Sequence, residues 1–322
     1  MKSDGIKLSV LSPCYQDQDC VRPLWERLTV VCRATGLVYE IILVDDGSRD
    51  CTWDEIRKIC EKDSCVVGVK LSKNHGQQKA MSAGMKMARG ERLLTIDSDL
   101  QDPPELLPEM MRLMDGGADV VYGQRKARKG VSLIKRGCYK LYYKILSWLA
   151  DCEIPRDTGD FRLVSRRVLD YLNAMPEQQR FLRGMVSWLG FRKAALLYDR
   201  DARWAGESHY TFRKLMQIAL DGITSFSIRP LRVATLFGLG LAFAAGLLAL
   251  FILWEWWIKG IPIQGWTSLI LVILTIGSLQ LFVLGMIGEY LGRLYIESKH
   301  RPLFMVDEVL NAGASLEQPD RL

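Results

Sequence analysis

Asp97 and Asp99 stand one residue apart in the run Leu93-Leu94-Thr95-Ile96-Asp97-Ser98-Asp99-Leu100-Gln101-Asp102-Pro103-Pro104, directly after an apolar stretch that reads as a strand. An extended segment that ends by exposing alternate acidic side chains can hold a hard divalent cation, Mg2+ or Mn2+, and that cation can bridge the oxygens of a diphosphate. A solvated acidic turn closed by Pro103 and Pro104 would carry the same string, so the pair needs support from the rest of the chain. Arg200 and Arg203 are candidates to supply it. They open the Gly-containing stretch from Arg200 to Tyr210, where two guanidinium groups could clamp phosphate oxygens from a loop that closes over a bound donor. Surface solvation is the alternative for both. Negative charge developing on a leaving diphosphate is what such a cation and such arginines would stabilise.

The elements that position these residues alternate along the first 210 residues. Ile6 to Leu11 reads as an apolar strand, a helix with Leu24, Leu28 and Val31 on one face follows, and Glu40 to Val44 is a second strand ending at Asp45-Asp46-Gly47-Ser48. Val66 to Leu71 leads to Asn74-His75-Gly76, the helix from Gln78 to Arg89 feeds the strand ending at Asp97, and Asp119 to Tyr122 is a further strand before Arg125. This β-α-β alternation predicts a parallel sheet, and ligands in such sheets bind beyond the carboxyl ends of the strands. Asp45, Gly76 and Asp97 all fall at such ends, which favours a nucleotide-sized crevice.

The chain has 322 residues with 49% hydrophobic and 25% charged, which is the balance of a globular protein and not of a disordered one. A net charge of +6 is modest, and nucleic acid is not an expected partner; the basic residues gather around residues 125 to 144 and beside the apolar C-terminal segments. Eight cysteines contain no C-x-x-C pair and only His75, His209 and His300 accompany them, so a zinc site is not expected. Their position ahead of the apolar segments fits reduced thiols in a cytosolic domain. The first residues carry no signal-peptide core.

No charged residue occurs from Val233 to Trp254, nor from Gly260 to Gly288, and each run exceeds the roughly 20 residues that cross a bilayer as a helix. Trp254, Trp256, Trp257 and Trp266 at the connection suit an interfacial aromatic belt. Arg229 and Arg232 precede the first span, while Arg293, Lys299 and Arg301 follow the second, which places both termini on the cytoplasmic side. A basic amphipathic segment at 131–150, with Arg136, Lys140 and Lys144 on one face, and a second at 211–229 would lie in the headgroup layer.

Asp45-Asp46-Gly47-Ser48, the run from Asp97 to Pro104, Gly159-Asp160-Phe161-Arg162-Leu163 and the Arg200 to Tyr210 stretch, followed by two apolar helices, resemble the polyisoprenyl-phosphate glycosyltransferases of glycosyltransferase family 2. Within that family it looks like the bactoprenol glucosyltransferases, with dolichol-phosphate mannose synthases and aminoarabinose-lipid transferases as relatives. The resemblance implies an α/β, GT-A (Rossmann-like) domain at 1–210, interfacial amphipathic helices, a two-helix transmembrane hairpin at 230–290 and a cytosolic tail at 291–322. It also implies that Pro13, Tyr15, Asp17 and Asp45 line the base and ribose pocket, with Asp97, while Asp97, Asp99 and Gln101 hold the metal and donor diphosphate. This chain has Gln16-Asp17 where the family usually has Asn-Glu. Arg200 and Arg203 would meet the donor phosphates, Arg125 and Arg136 the acceptor phosphate, and Asp160 would act as base or orient its neighbours. The implied reaction is transfer of one sugar, glucose from UDP-glucose, to undecaprenyl phosphate at the bacterial inner membrane, feeding O-antigen or cell-envelope glycan modification. Mannose or a modified arabinose are the alternative sugars, and tetramers have precedent in the family. A processive polysaccharide synthase and a non-catalytic nucleotide-sugar-binding scaffold are the competing classes.

Overall fold

A computed structural model of the chain describes residues 5–125, 158–199, 229–259 and 265–312. The chain divides into two units, one built from residues 1–144, 152–215 and 301–322, the other from 145–151 and 216–300. The segments at 131–150 and 211–228, and with them Arg136, Arg200 and Arg203, lie outside the described residues.

The first unit is organised around an eight-stranded sheet. Its strands are β1 (Leu8–Cys14), β2 (Tyr39–Asp45), β3 (Val66–Leu71), β4 (Arg92–Thr95), β5 (Val120–Arg125), β6 (Thr158–Ser165), β7 (Lys193–Tyr198) and β8 (Val306–Leu310). They lie in the order β7-β5-β6-β4-β1-β2-β3-β8. β1 runs parallel to both β2 and β4, and every residue of it is buried, the pattern of a strand covered on both faces. On one face Leu8, Val10, Ile41 and Leu43 pack in a single core with Leu24 and Leu28 of α1 (Gln18–Ala34), Ile56 and Ile59 of α2 (Thr52–Lys62), and Met110 and Met114 of α4 (Leu107–Asp115). The other face receives α3 (Gln77–Met87). Gly84 makes that approach possible, because a Cβ there would come within 2.1 Å of Leu11 Cδ1 and 3.0 Å of Val44 Cγ2. The α5 (Arg166–Ala174) and α6 (Leu182–Trp188) helices follow β6 and complete this layer. The expected parallel α/β alternation therefore holds through β4, while β6 and β8 are antiparallel to their neighbours.

The turn after β2 is built on Gly47. Its φ is +68°, and a Cβ would stand 2.4 Å from the Lys73 carbonyl carbon, so neither the dihedral nor the space admits a side chain. Asp46, beside it, accepts hydrogen bonds from the backbone N–H groups of His75 at 2.7 Å and Gly76 at 2.8 Å, which ties the loop after β2 to the loop after β3. Gly47→Ala is expected to lower the melting temperature of the full chain by about 5 °C or more, since the strain and the backbone clash together cost roughly 2 kcal/mol. An unchanged melting curve would show that the turn relaxes freely.

The C-terminal residues add an edge that the sequence pattern does not announce. Within the stretch read as a tail, β8 pairs with β3 through Gly68↔Leu310 and Val69↔Val309. Glu308 accepts from Trp53 Nε1 at 3.1 Å and pairs with Arg57 at 3.0 Å, and the Asn311 amide donates to the carbonyls of Cys60 and Val66.

The second unit contains α7 (Arg229–Lys259) and α8 (Trp266–Ser298), of 31 and 33 residues. Each has a stretch long and apolar enough to cross a membrane, Leu231–Leu248 with mean hydropathy 1.9 and Thr275–Ser298 with 1.2. Large apolar side chains such as Phe237, Phe243, Leu281 and Phe282 are exposed on them. A soluble core helix would bury such groups, so an apolar surrounding is the fitting environment for these two.

Candidate active site

The carboxyl ends of β1, β2, β4 and β5 deliver the acidic and basic residues that the sequence singles out, and sheet topology adds the rest. Because β6 runs antiparallel to β4, with Thr95 opposite Arg162, the start of β6 lies beside the end of β4. Asp160 is thereby carried to the loop that contains Asp97, and the Thr95 hydroxyl donates to the Asp160 carbonyl. In the same way β7 is parallel to β5 with Tyr198 opposite Arg125, which brings Tyr198 to the same rim.

The first group lies after β1 and β2. Pro13 is buried in β1, and Tyr15 is exposed. Asp17 accepts from the Tyr15 backbone N–H at 3.0 Å and from the Ser98 hydroxyl at 2.6 Å, which joins this group to the loop of Asp97 and Asp99. Burial raises the Asp17 carboxyl above its ordinary value, against these hydrogen bonds. Asp45 is fully buried at the end of β2; its Oδ1 accepts from the Ser48 N–H at 3.1 Å, and its Oδ2 is buried without a hydrogen-bond partner. Burial raises this carboxyl too. A buried acceptor left unmatched costs free energy, so an N–H or O–H donor brought by a ligand would be well received there.

The second group is acidic. The Asp97 carboxyl is pushed up to about 7 by burial, then by Asp160, Asp102 and Asp99, with Arg125 acting against them. The Gln77 amide donates to Asp97 Oδ1 at 2.8 Å and to Asp160 Oδ2 at 3.4 Å, and the Gln78 amide donates to Asp160 Oδ2 at 3.2 Å. On its other oxygen Asp160 pairs with Arg162 at 2.8 Å, with Arg183 at 3.8 Å. Leu100 adopts a φ of +60°, and the Gln101 N–H donates to Asp99 Oδ1 at 3.2 Å, so the chain folds tightly between Asp99 and Asp102.

Among the described residues no three His, Cys, Asp or Glu side chains form a ready-made ligand set. The donor chemistry nonetheless fits a hard cation. Asp97 and Asp99 offer carboxylate oxygens, and after burial itself the neighbouring Asp160, Asp102 and Asp99 are what raise the Asp97 carboxyl, with Arg125 acting against them. Oxygens of a bound diphosphate would supply the remaining ligands.

The third group is Arg125, Asp102 and Tyr198. Arg125 Nε donates to the Tyr198 hydroxyl at 3.3 Å, its terminal nitrogen lies 3.6 Å from Asp102 Oδ1, and the Tyr198 hydroxyl donates to the same Asp102 oxygen. Asp102 and Tyr198 are buried at 1% and 4% exposure, whereas the Arg125 side chain keeps 29% of its surface open.

Asp17, Asp97, Asp99, Asp160 and Arg125 thus belong to connected hydrogen-bond and charge networks at one end of the sheet. Gln77, Gln78, Arg162, Arg183, Asp102 and Tyr198 were not singled out from sequence. The faint signals were the paired glutamines right after Asn74-His75-Gly76, Asp102 inside the acidic run, Arg162 two residues after Asp160, and Tyr198 just ahead of Asp199 and Arg200.

The sequence profile of the family described as Glycosyl transferase family 2 matches residues 9–172. An uncharacterized glycosyltransferase of Synechocystis sp. is 39% identical over 304 residues, spanning 94% of this chain and 96% of its own length. The bactoprenol glucosyl transferase of Shigella phage SfV is 35% identical over 301 residues, spanning 94% of this chain and 98% of its own. The crystal structure of S. aureus TarS 1-349 in complex with UDP-GlcNAc is 19% identical with a TM-score of 0.46, over 68% of this chain and 66% of that one.

Proposed function

Since this chain belongs to glycosyl transferase family 2 and is a glycosyltransferase of GT-A-like α/β fold, we propose that it moves one glucose from UDP-glucose to a polyprenyl phosphate at the cytoplasmic face of a bacterial inner membrane. The near full-length likeness to a bactoprenol glucosyl transferase carries this reading. The geometry supports it, because the acidic group for a donor diphosphate and a half-open cation for an acceptor phosphate meet at Asp102.

Asp45, with its unmatched Oδ2, takes a donor group of the nucleotide, and Pro13, Tyr15 and Asp17 form the rest of that pocket. Asp97, Asp99 and Gln101 would hold Mg2+ or Mn2+, which when bound offsets charge on the donor diphosphate. Arg200 and Arg203, which follow β7 in sequence, are assigned to the same phosphates, and Arg125 and Arg136 to the acceptor phosphate. An oxygen of the already ionised lipid phosphate attacks the anomeric carbon, and the bond to the diphosphate breaks with its electron pair leaving on the nucleotide. No proton has to be removed for that step. Asp160, paired to Arg162, therefore serves to orient Gln77 and Gln78 and through Gln77 the Asp97 carboxylate. The α7 and α8 helices anchor the enzyme where a lipid phosphate and a soluble sugar donor can meet, with both termini cytoplasmic.

Purified full-length protein, undecaprenyl phosphate, Mg2+ and a panel of labelled nucleotide sugars test the proposal, with one glucose per lipid expected from UDP-glucose and none after chelation. Mannose or arabinose transfer would correct the donor, a polymer would indicate a processive synthase, and no turnover with any donor would overturn the enzyme reading. Arg125→Ala is expected to raise the KM for the lipid by about 10- to 100-fold, the worth of one hydrogen bond to a charged group, with the donor KM nearly unchanged. An unaltered dependence on lipid concentration would remove Arg125 from the acceptor site.

A further inference from the structure

The structure points to a positioning pair, Tyr198 and Asp102, and we infer that it holds Arg125 in the orientation that receives the acceptor phosphate. This inference rests on the acceptor role proposed above for Arg125.

A long arginine at the end of an edge-proximal strand loses considerable rotamer freedom when it is ordered, so binding is tighter where the side chain is already held before the ligand arrives. Here the restraint comes from two different elements. The loop after β4 contributes Asp102, and the last residue of β7 contributes Tyr198. Tyr198 donates to Asp102 Oδ1 and accepts from Arg125 Nε at 3.3 Å, while a terminal nitrogen of Arg125 lies 3.6 Å from the same carboxylate oxygen. Burial, together with the bond to Asp102, pushes the Tyr198 phenol up to about 12, so the hydroxyl keeps its proton and its direction at neutral pH. Arg125 is thereby held between buried partners, while 29% of its side-chain surface stays open to a ligand.

Two glycines show that the space is built for this arrangement. At Gly123 a Cβ would lie 2.6 Å from Phe161 Cδ1 and 2.9 Å from Tyr198 Cε1, so a side chain there would displace the ring. Phe161 meets that ring edge-on at 5.8 Å between centroids. At Gly159 a Cβ would lie 2.7 Å from an Arg125 terminal nitrogen, so the guanidinium crosses β6 where no side chain stands. Asp102 belongs to the same tight loop as Asp99 and Gln101, and Tyr198 directly precedes Asp199 and Arg200. One hydroxyl thus joins the donor loop and the acceptor arginine.

The test is a set of kinetic constants for the full-length enzyme with undecaprenyl phosphate and the donor it accepts. Tyr198→Phe keeps the ring against Phe161 and removes the hydroxyl; it should raise the lipid KM about fivefold or more while donor KM and kcat change little. In an Arg125→Ala background the same substitution should add nothing, because its effect passes through the arginine. Gly159→Ala is an independent probe, since its Cβ meets the far end of a flexible side chain; it too should raise the lipid KM selectively. If Tyr198→Phe and Gly159→Ala leave the lipid KM unchanged while Arg125→Ala raises it, the positioning role is overturned and the proposed function stands. A full additional effect of Tyr198→Phe on top of Arg125→Ala also overturns it. If Arg125→Ala itself leaves the lipid KM unchanged, the acceptor assignment falls and this inference falls with it.

Discussion

Asp99→Ala is expected to abolish sugar transfer, by about a thousandfold or more, while the protein still inserts into membranes and keeps its fold. The size follows from where charge develops. A leaving diphosphate gains negative charge in the transition state, and Asp97 and Asp99 are the carboxylates that would keep a cation against it. The fold survives because Asp99 is half-buried in a loop, where its carboxylate accepts from the nearby Gln101 N–H. Transfer of labelled sugar to undecaprenyl phosphate measures the first part, and recovery in the membrane fraction with an unchanged circular dichroism spectrum measures the second. Turnover within a few-fold of the parent enzyme would remove the metal role from Asp99.

Arg162→Leu carries the largest expected stability loss. Arg162 is 4% exposed, and its guanidinium pairs with Asp160 at 2.8 Å and donates to the Gly159 carbonyl at 3.1 Å. Deleting one member of a buried pair leaves the other charge uncompensated, at a cost of about 3–5 kcal/mol. Asp160 would retain the two glutamine amides and the more distant Arg183 at 3.8 Å, which place the loss toward the lower end of that range. For a unit of this size the melting temperature should fall by about 10 °C, read from thermal unfolding of the detergent-solubilised full chain. Replacing Asp160 by leucine as well should recover part of the loss, because the stranded carboxylate is then gone. A single-variant melting point within about 2 °C of the parent, on the order of the few-tenths effects of exposed pairs, would show the pair to be energetically silent.

What the linear chain decided is the set of features carried by short stretches. Strand-helix alternation, the apolar runs that became α7 and α8, and the acidic residues after the strands at Asp45, Asp97 and Asp99 can be read this way, because side-chain period and strand-end position are local properties. Arg125 is of the same kind, although β5 runs on to include it, three residues past the Tyr122 at which the strand reading stops. Tertiary structure decided which of these residues meet. Asp160 reaches Asp97 because β6 enters the sheet reversed between β5 and β4, Tyr198 reaches Arg125 because β7 takes its register from β5, and the last described residues close the far edge as β8. Those pairings join positions far apart in sequence, and they are selected by which faces can be buried together. No window of the chain contains that information, so Gln77, Gln78, Asp102 and Tyr198 acquire their partners when the sheet is assembled.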